Sequence, residues 1–165
     1  MDREIVIEPL NNKDCGSIIS LVLPIQQIEF GIPVTLEGQP DLLDIELYYF
    51  RDGGRFWGAK HNGQLVGTIA LINIGYNTGV LRKMFVQKEF RGKQFGVGQQ
   101  LLTTLTAYCR AHNINHLYLG TVEVMKAAHR FYERNGFSRI SVDMLPSYFQ
   151  RMPSDNVFYY LNLHN

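Results

Sequence analysis

The residues with the clearest potential for chemistry lie in a glycine-rich loop between a predicted strand and a predicted helix. This loop reads Arg91-Gly92-Lys93-Gln94-Phe95-Gly96-Val97-Gly98. The first backbone N–H groups of a helix have no partner inside it, and the helix dipole places about half a positive charge there. Glycine has no Cβ and lets the backbone approach an anion closely, while Arg91 and Lys93 add charge. The loop is therefore predicted to hold a pyrophosphate.

Hydrophobic patterning defines the two elements on either side of this loop. The strand before it carries the bulky residues Leu81, Met84, Phe85 and Val86. After Gly98, apolar residues recur at a spacing of about 3.6, which predicts a helix over 95–112. Its apolar face consists of Leu101, Leu102, Leu105, Tyr108 and Cys109.

The first half of the chain predicts a short strand, two helices and an antiparallel meander. A strand at 5–7 precedes a helix that Pro24 should kink or divide. Residues 31–41 predict a loop, and Asp41 is predicted to cap a second helix over 42–48. Strands over 55–61 and 64–73 flank Asn62-Gly63, a strong hairpin signal, and a third strand ends at Val86.

The second half predicts a crossover and a closing pair of strands. The strand His116–Thr121 follows the long helix, so it should lie parallel to residues 80–86. A short amphipathic helix over 124–132 should stop at Asn135-Gly136, and strands follow at 137–142 and 157–163. The predicted fold class is α/β: a mixed, mostly antiparallel sheet in one domain over residues 1–165, with flanking helices.

Bulk composition excludes several functional classes. The chain has 165 residues, 45% of them hydrophobic, and a formal net charge of +1. A nucleic-acid partner is not expected, because there is no global basic field. We expect no secretory signal and no membrane span. Cys15 and Cys109 fall in no metal or redox spacing, which predicts a cytoplasmic protein with free thiols and no metal site.

Two familiar phosphate-binding loops fit the glycine loop poorly. A Walker-type loop needs Ser or Thr after Gly-Lys, whereas Gln94 follows Lys93 here. A dinucleotide-binding fold places its glycine turn early in a series of βαβ units and an acidic residue after the next strand. This loop instead follows an antiparallel meander, and the next strand, HLYLGT, carries no acidic residue.

Two segments resemble the signatures of the GNAT superfamily of N-acetyltransferases, specifically a bacterial-type single-domain member. They read FVQKEFRGKQFGVGQQLL and AAHRFYERNGF, in the order and with the separation found in that family. The resemblance implies a sheet with a parallel strand pair at the cofactor cleft. It also implies acetyl transfer from acetyl-CoA to an amine, with coenzyme A as co-substrate and no metal.

The resemblance carries site residues onto this chain one by one. The pyrophosphate loop corresponds to Arg91, Gly92, Lys93, Gln94, Phe95, Gly96, Val97 and Gly98. The strand residues Met84, Phe85 and Val86 correspond to the edge that pantetheine lies against. Tyr132 corresponds to the tyrosine that protonates the departing thiolate.

The chain departs from the family pattern at two places. Gln94 and Phe95 lengthen the usual spacing between the glycines, which leaves the role of Arg91 open. Met125 stands where an asparagine often hydrogen-bonds pantetheine.

Some residues also have ordinary structural interpretations. The glycines fit a tight strand-to-helix turn, and Tyr132 fits a core tyrosine with a hydrogen-bonded hydroxyl. His129 is predicted to be solvated on the polar face of its helix. Arg82-Lys83 either steers an acidic substrate or forms ordinary surface charge, and Cys109 is predicted to be a core residue rather than a nucleophile.

The acceptor and the general base are less well defined by the sequence. Candidate bases are Glu29, Glu46 and Glu123. The stretch from Glu29 to Glu46, which includes Asp41, is acidic; it is either an ordinary solvated loop or the wall of a pocket for a cationic amine, and that amine is a small molecule or part of a peptide. We expect a monomer or homodimer. The alternative function is a non-catalytic coenzyme A-binding sensor or interaction module on the same fold.

Overall fold

Seven strands form one mixed sheet in the computed structural model, which describes residues 4–164. The predicted domain 1–165 includes residues 1–3 and 165, which lie outside the described residues. The strand order across the sheet is β1-β2-β3-β4-β5-β7-β6. The strands are β1 Val6–Pro9, β2 Arg55–His61, β3 Gln64–Gly75, β4 Thr78–Val86, β5 His116–Thr121, β6 Ser138–Ile140 and β7 Val157–Asn162.

Three α-helices and several short helical turns flank the sheet. The helices are α1 Cys15–Pro24, α2 Val97–Ala111 and α3 Lys126–Arg134. Pro24 ends α1, as predicted, and the chain continues as a π turn over Ile25–Glu29, in which Phe30 N donates to Ile25 O at 3.1 Å. In the part of the chain that the structure describes, no helix is both long and apolar enough to span a bilayer.

The β2–β3 hairpin confirms the turn prediction. Asn62 and Gly63 have φ of 51° and 79°, the positive values that a two-residue hairpin turn of this kind requires. The register follows from the turn, with His61 opposite Gln64 and Phe56 opposite Ala70. Since side chains alternate along a strand, this register fixes which face each residue covers.

Two apolar clusters cover the two faces of the sheet. On one face, α2 packs against the strand side chains that point toward it. This cluster includes Trp57, Ile69, Leu71, Val97, Leu101, Leu105 and Cys109. On the other face, α1 and the turns after it bury Ile18, Val22, Leu42, Ile45, Tyr49, Phe56 and Ala70. The predicted apolar face of α2 is therefore confirmed as its core contact.

The parallel pair of strands confirms the predicted crossover. Thr78, Gly79 and Val80 of β4 pair with His116, Leu117 and Tyr118 of β5. Beyond these three residues, the strand that β4 pairs with among the described residues is β3, while β5 pairs with β7. The two strands therefore diverge after Val80 and leave a cleft between them.

A β-bulge lies on β4 at the start of this cleft. Thr68 of β3 pairs with Phe85 and Ala70 pairs with Arg82, so Lys83 and Met84 together oppose one residue of β3. Lys83 has φ of 52°, a left-handed conformation that is uncommon for a residue with a side chain. Bulges of this type redirect side chains next to functional sites.

Three local predictions are wrong. Residues 42–48 do not form one regular helix, because a short turn over Pro40–Leu43 stops at Asp44 and a π turn over Glu46–Phe50 follows. Asp41 caps neither element; the residue before the first turn is Gln39, which makes no side-chain cap bond. The strand predicted over 137–142 is only three residues long, because Val142–Met144 forms a helical turn.

Candidate active site

A cavity of about 270 Å³ lies where β4 and β5 diverge. Its walls come from β4, from the end of β5, from α3, from the loop after the first π turn and from the segment before β7. Its lining residues include Gln39, Met84, Phe85, Gly120, Tyr132 and Asp155. The cleft thus brings together side chains from both halves of the chain.

Tyr132 points from α3 into this cavity. Its side chain is nearly buried, with 5% of the residue exposed. The hydroxyl donates to Met84 Sδ at 3.8 Å, and thioether sulfur is a weak acceptor. Burial raises the pKa of Tyr132 well above its ordinary value, and the nearby Asp155 and Tyr159 add to the shift. The group therefore remains a neutral donor at physiological pH, with capacity for a stronger acceptor.

The glycine loop has the conformation that its sequence predicts, although α2 starts at Val97 rather than at 95. Gly92 and Gly96 have φ of 96° and 63°, where residues with a Cβ are strained. No side chain in the part of the chain that the structure describes caps the N-terminus of α2. The first N–H groups of the helix therefore remain available to an external acceptor.

The side chains of the loop divide into exposed and packed groups. Lys93 and Gln94 are exposed, while Phe95 packs its ring 4.9 Å from that of Phe90. The Cα of Gly98 faces Met84 and Phe131; a Cβ there would lie 3.6 Å from each of their side chains. The loop is thus fixed on one side by aromatic packing and open on the other.

Arg91 and Glu29, predicted to bind different ligands, bind each other. Arg91 Nη1 and Nη2 donate to Glu29 Oε2 and Oε1 at 2.5 and 2.7 Å. Arg91 Nε also donates to Val86 O at 2.8 Å, and the guanidinium lies 5.7 Å from the ring centre of Phe30. The hydrogen bonds from Arg91 lower the pKa of Glu29. This pair therefore ties the glycine loop to the π turn that follows α1.

A buried polar network supports the bulge on β4. Lys83 Nζ donates to Gln39 Oε1 at 2.7 Å and lies 3.5 Å from Asp41 Oδ2, which also accepts from Tyr49 Oη at 2.5 Å. Gln39 exchanges two hydrogen bonds with Gln26, at 2.9 and 3.0 Å. The Lys83 side chain is only 8% exposed, so its interpretation as surface charge is wrong. Burial lowers the pKa of Lys83 despite the attraction of Asp41.

The other two carboxylates predicted as bases lie away from the cavity. Glu46 Oε2 accepts from Asn12 N at 3.0 Å at the start of the α1 region. Glu123 forms ion pairs with Lys126 and Arg139. The structure therefore does not bring Glu29, Asp41 and Glu46 together in one pocket, although Asp41 reaches the site through Lys83.

Asp155, which the sequence did not single out, lies in the cavity wall. It follows Pro153 in the irregular segment before β7. Burial raises the pKa of Asp155 to about 6, although Arg82, Lys83 and Arg151 act in the opposite direction. Only its folded position, opposite the end of β5, distinguishes it from other acidic residues.

Two residues with simpler roles also have defined positions. His129 is buried rather than solvated, since its Nε2 lies 2.9 Å from Val122 O and the residue is 6% exposed. The prediction failed because the segment before α3 folds back over the face that helical spacing marks as polar. Cys109 is fully buried, and burial raises the pKa of its thiol to about 12. That confirms its assignment to the core.

The sequence profile of the acetyltransferase (GNAT) family matches residues 21–137. This range includes the glycine loop, the divergent strands and Tyr132. The chain belongs to the GNAT family. The resemblance inferred from the two signatures is therefore confirmed, as is the mixed sheet with a parallel pair at the cleft.

Solved structures and relatives agree with this assignment. A GNAT-family acetyltransferase from Staphylococcus aureus Mu50 superposes with a TM-score of 0.94 at 40% identity, covering 98% of this chain and 100% of that one. The PaiA N-acetyltransferase from Thermoplasma acidophilum, solved in complex with coenzyme A, shares the GNAT fold with a TM-score of 0.71 at 18% identity, covering 96% of this chain and 99% of that one.

Among relatives, the N-acetylaspartate synthetase of Danio rerio is 39% identical over 102 residues. That match covers 61% of this chain but only 36% of the relative. The chain therefore spans about a third of that relative's length.

Proposed function

We propose that this chain transfers an acyl group, most simply acetyl, from coenzyme A to an amine by direct attack. Membership of the GNAT family supports this, and one structural observation carries it. The parallel strands β4 and β5 separate after Val80, and Tyr132 projects into the opening so formed. A ligand-sized opening with a neutral proton donor inside it suits a thioester leaving group.

The residues around the cleft fit coenzyme A, as the complex of the Thermoplasma GNAT protein also supports. Met84, Phe85 and Val86 would lie along pantetheine. The N–H groups from Lys93 to Gly98 would hold the pyrophosphate, and Lys93, which is exposed, would add charge. Gly92 and Gly96 permit the backbone conformation of the loop.

Arg91 has a different role in this proposal. Its guanidinium is neutralised by Glu29, so it contributes mainly by fixing the loop relative to the π turn.

Within residues 4–164, no group of three or more His, Cys, Asp or Glu side chains is arranged to hold a metal ion.

The protein contributes positioning and proton donors to the reaction. A backbone N–H near Phe85 would polarise the acyl carbonyl. Tyr132 would donate to the sulfur as the carbon–sulfur bond breaks. Because its pKa is raised, the hydroxyl is still protonated at that point, and its proton passes to the sulfur as negative charge develops there. Coenzyme A supplies the activated thioester.

The acceptor is proposed to be a small amine, or one on a peptide, that also carries a carboxylate. The acidic residues Glu29, Asp41 and Glu46 already have partners, which removes the basis for preferring a cationic amine. Arg82 lines the cavity and is half-buried, with one hydrogen bond to Gln150 O at 3.0 Å. The name of the Danio relative, which refers to N-acetylaspartate, agrees with an amino-acid acceptor.

A direct test is release of thiol from acetyl-CoA in the presence of individual amines. The set should contain L-aspartate, L-glutamate and other L-amino acids, with spermidine as the cationic comparison. Turnover with L-aspartate or L-glutamate and none with spermidine is the expected result. The alternative function, a coenzyme A-binding module without catalysis, predicts binding of coenzyme A and no thiol release with any amine.

Three further properties belong to the same proposal. The free cysteines Cys15 and Cys109 support a cytoplasmic location. The chain is proposed to act as one N-acetyltransferase domain over 1–165, as a monomer or homodimer. Neither nucleic acid nor membrane is among its proposed partners.

A further inference from the structure

The segment before β7 closes the cleft at the end of β5. Asn156 N donates to Thr121 O at 2.9 Å, and Asp155 N donates to Met152 O at 3.1 Å. These bonds hold Asp155 beside Gly120, where an added Cβ would lie 2.6 Å from Asp155 Oδ2. Glycine at this position therefore lets a carboxylate lie directly against the backbone of β5.

The carboxylate of Asp155 has no hydrogen-bond or ion-pair partner within residues 4–164. No buried side-chain oxygen in this range lacks a partner, so the Asp155 oxygens must be accessible, and the residue lines the cavity. An unpaired carboxylate facing a cavity is positioned to accept a proton from a bound group.

The charged groups around Asp155 come from three elements. Arg82 and Lys83 lie on β4, Arg151 lies on the same segment, and Tyr132 faces it from α3. The three cations favour the ionised carboxylate, yet burial outweighs them. A base that titrates close to neutral pH is well matched to proton transfer at neutral pH.

The competing carboxylates are excluded by their contacts. Glu29, Glu46 and Glu123 are each bonded to another group, and none of them lines the cavity. Asp41 is held by Lys83 and Tyr49. Asp155 is therefore the acidic residue in the described part of the cavity wall whose oxygens remain open to a ligand.

We propose that Asp155 is the general base that takes the proton from the attacking amine, an inference that rests on the proposed function. The amine nitrogen bonds to the acyl carbon and loses a proton to the Asp155 carboxylate. The carbon–sulfur bond breaks, and the sulfur receives a proton from the Tyr132 hydroxyl. The proton on Asp155 then returns to Tyr132 through solvent, so both groups regain their initial states.

The test uses Asp155→Asn in the whole chain, with acetyl-CoA and the best amino-acid acceptor of the wild type. We expect kcat/KM to fall about 10²–10⁴-fold while coenzyme A affinity is unchanged. The wild-type rate should rise with pH through an apparent pKa close to 6, because the base acts when deprotonated, and the variant should lose this limb. Asp143→Asn, at an exposed position after β6, is the matched control and should retain full activity.

A second variant separates a base from a structural carboxylate. Asp155→Ala leaves space beside Gly120, and sodium formate should restore part of its activity in a concentration-dependent way. Formate should have no effect on the wild type. If Asp155→Asn retains the wild-type rate and pH profile, or Asp155→Ala is inactive and formate does not restore it, the assignment of the base is wrong.

Failure of the proposed function would look different. In that case the wild type itself would release no thiol with any amine. Active wild type with an equally active Asp155→Asn variant would overturn only the role of Asp155.

Discussion

The coupling energy between the buried charges of Lys83 and Asp41 should be several times larger than that of a surface ion pair. The two charges are 3.5 Å apart, with side chains 8% and 13% exposed. With an effective dielectric constant of about 20, Coulomb's law gives an attraction of ~5 kcal/mol at this distance. Desolvation opposes this attraction, and the lowered pKa of Lys83 shows that burial has the larger effect on the lysine.

The consequence is that removing both partners should cost clearly less than the sum of the two single losses. In Lys83→Met, Asp41 keeps only the hydrogen bond from Tyr49; in Asp41→Asn, the ammonium keeps its bond to Gln39. Each single change leaves a poorly compensated buried charge, for which a loss of ~3 kcal/mol or more is expected. The double variant should lose less than the sum of the single losses by about 2–3 kcal/mol.

A double-mutant cycle in urea measures this coupling, with unfolding followed by the fluorescence of the single tryptophan, Trp57, which is buried. The control cycle is Lys60→Met with Glu8→Gln, whose charges are 2.8 Å apart but whose side chains are 27% and 41% exposed. Its coupling should be below ~1 kcal/mol. A Lys83–Asp41 coupling no larger than that of the control would show that burial does not strengthen this ion pair.

Three further predictions address the ligand loop, the acid and the backbone. Gly96→Asp places a negative charge in the loop and should weaken coenzyme A binding by about tenfold or more. Its control is Gly96→Asn, because asparagine tolerates a positive φ as well as aspartate does, and this variant should bind coenzyme A more tightly than Gly96→Asp. Equal affinities of the two variants in calorimetry would contradict the pyrophosphate assignment. Tyr132→Phe should lower kcat by about 10²–10⁴-fold. Its melting temperature should change little, since the hydroxyl bonds only a sulfur in the described structure. Full activity of the variant would assign the leaving-group proton to water. Gly54→Ala should destabilise the fold by ~3 kcal/mol or more, because the new Cβ would lie 2.2 Å from the carbonyl oxygens of residues 49 and 71. Gly16→Ala, which has open space around it in α1, should stabilise the fold by ~0.5–1 kcal/mol. Equal melting temperatures of the two variants would contradict both predictions.

Local sequence signals predicted the backbone around the cleft well. Asn62-Gly63 determined the hairpin, and the bounds of β5 agree with the predicted strand His116–Thr121. These signals work because positive φ and strand alternation depend on residues adjacent in the chain. The same locality explains why the glycine loop, with its two positive-φ glycines, was located from sequence alone.

Side-chain partners were predicted much less well. Arg91 and Glu29 are 62 residues apart, and Lys83 and Gln39 are 44 apart, so no local pattern marks either pair. Glu29 and Asp41, two of the carboxylates predicted to line the acceptor pocket, instead form ion pairs with Arg91 and Lys83. The π turns after α1 and at Glu46–Phe50 likewise depend on packing against the sheet rather than on helix propensity.

The polar groups of the cleft fall into two classes that differ in how they are held. Lys83, the residue of β4 with a positive φ, is bonded to both Gln39 and Asp41, so this network fixes the position of the backbone. Among residues 4–164, the hydroxyl of Tyr132 bonds only a thioether sulfur and the carboxylate of Asp155 has no partner, and both side chains face the same cavity. A buried group left without a strong partner lowers stability, and such groups persist where a ligand completes their bonding. We therefore propose Tyr132 and Asp155 as the reacting centre, with the network around Lys83 holding β4 in position beside them.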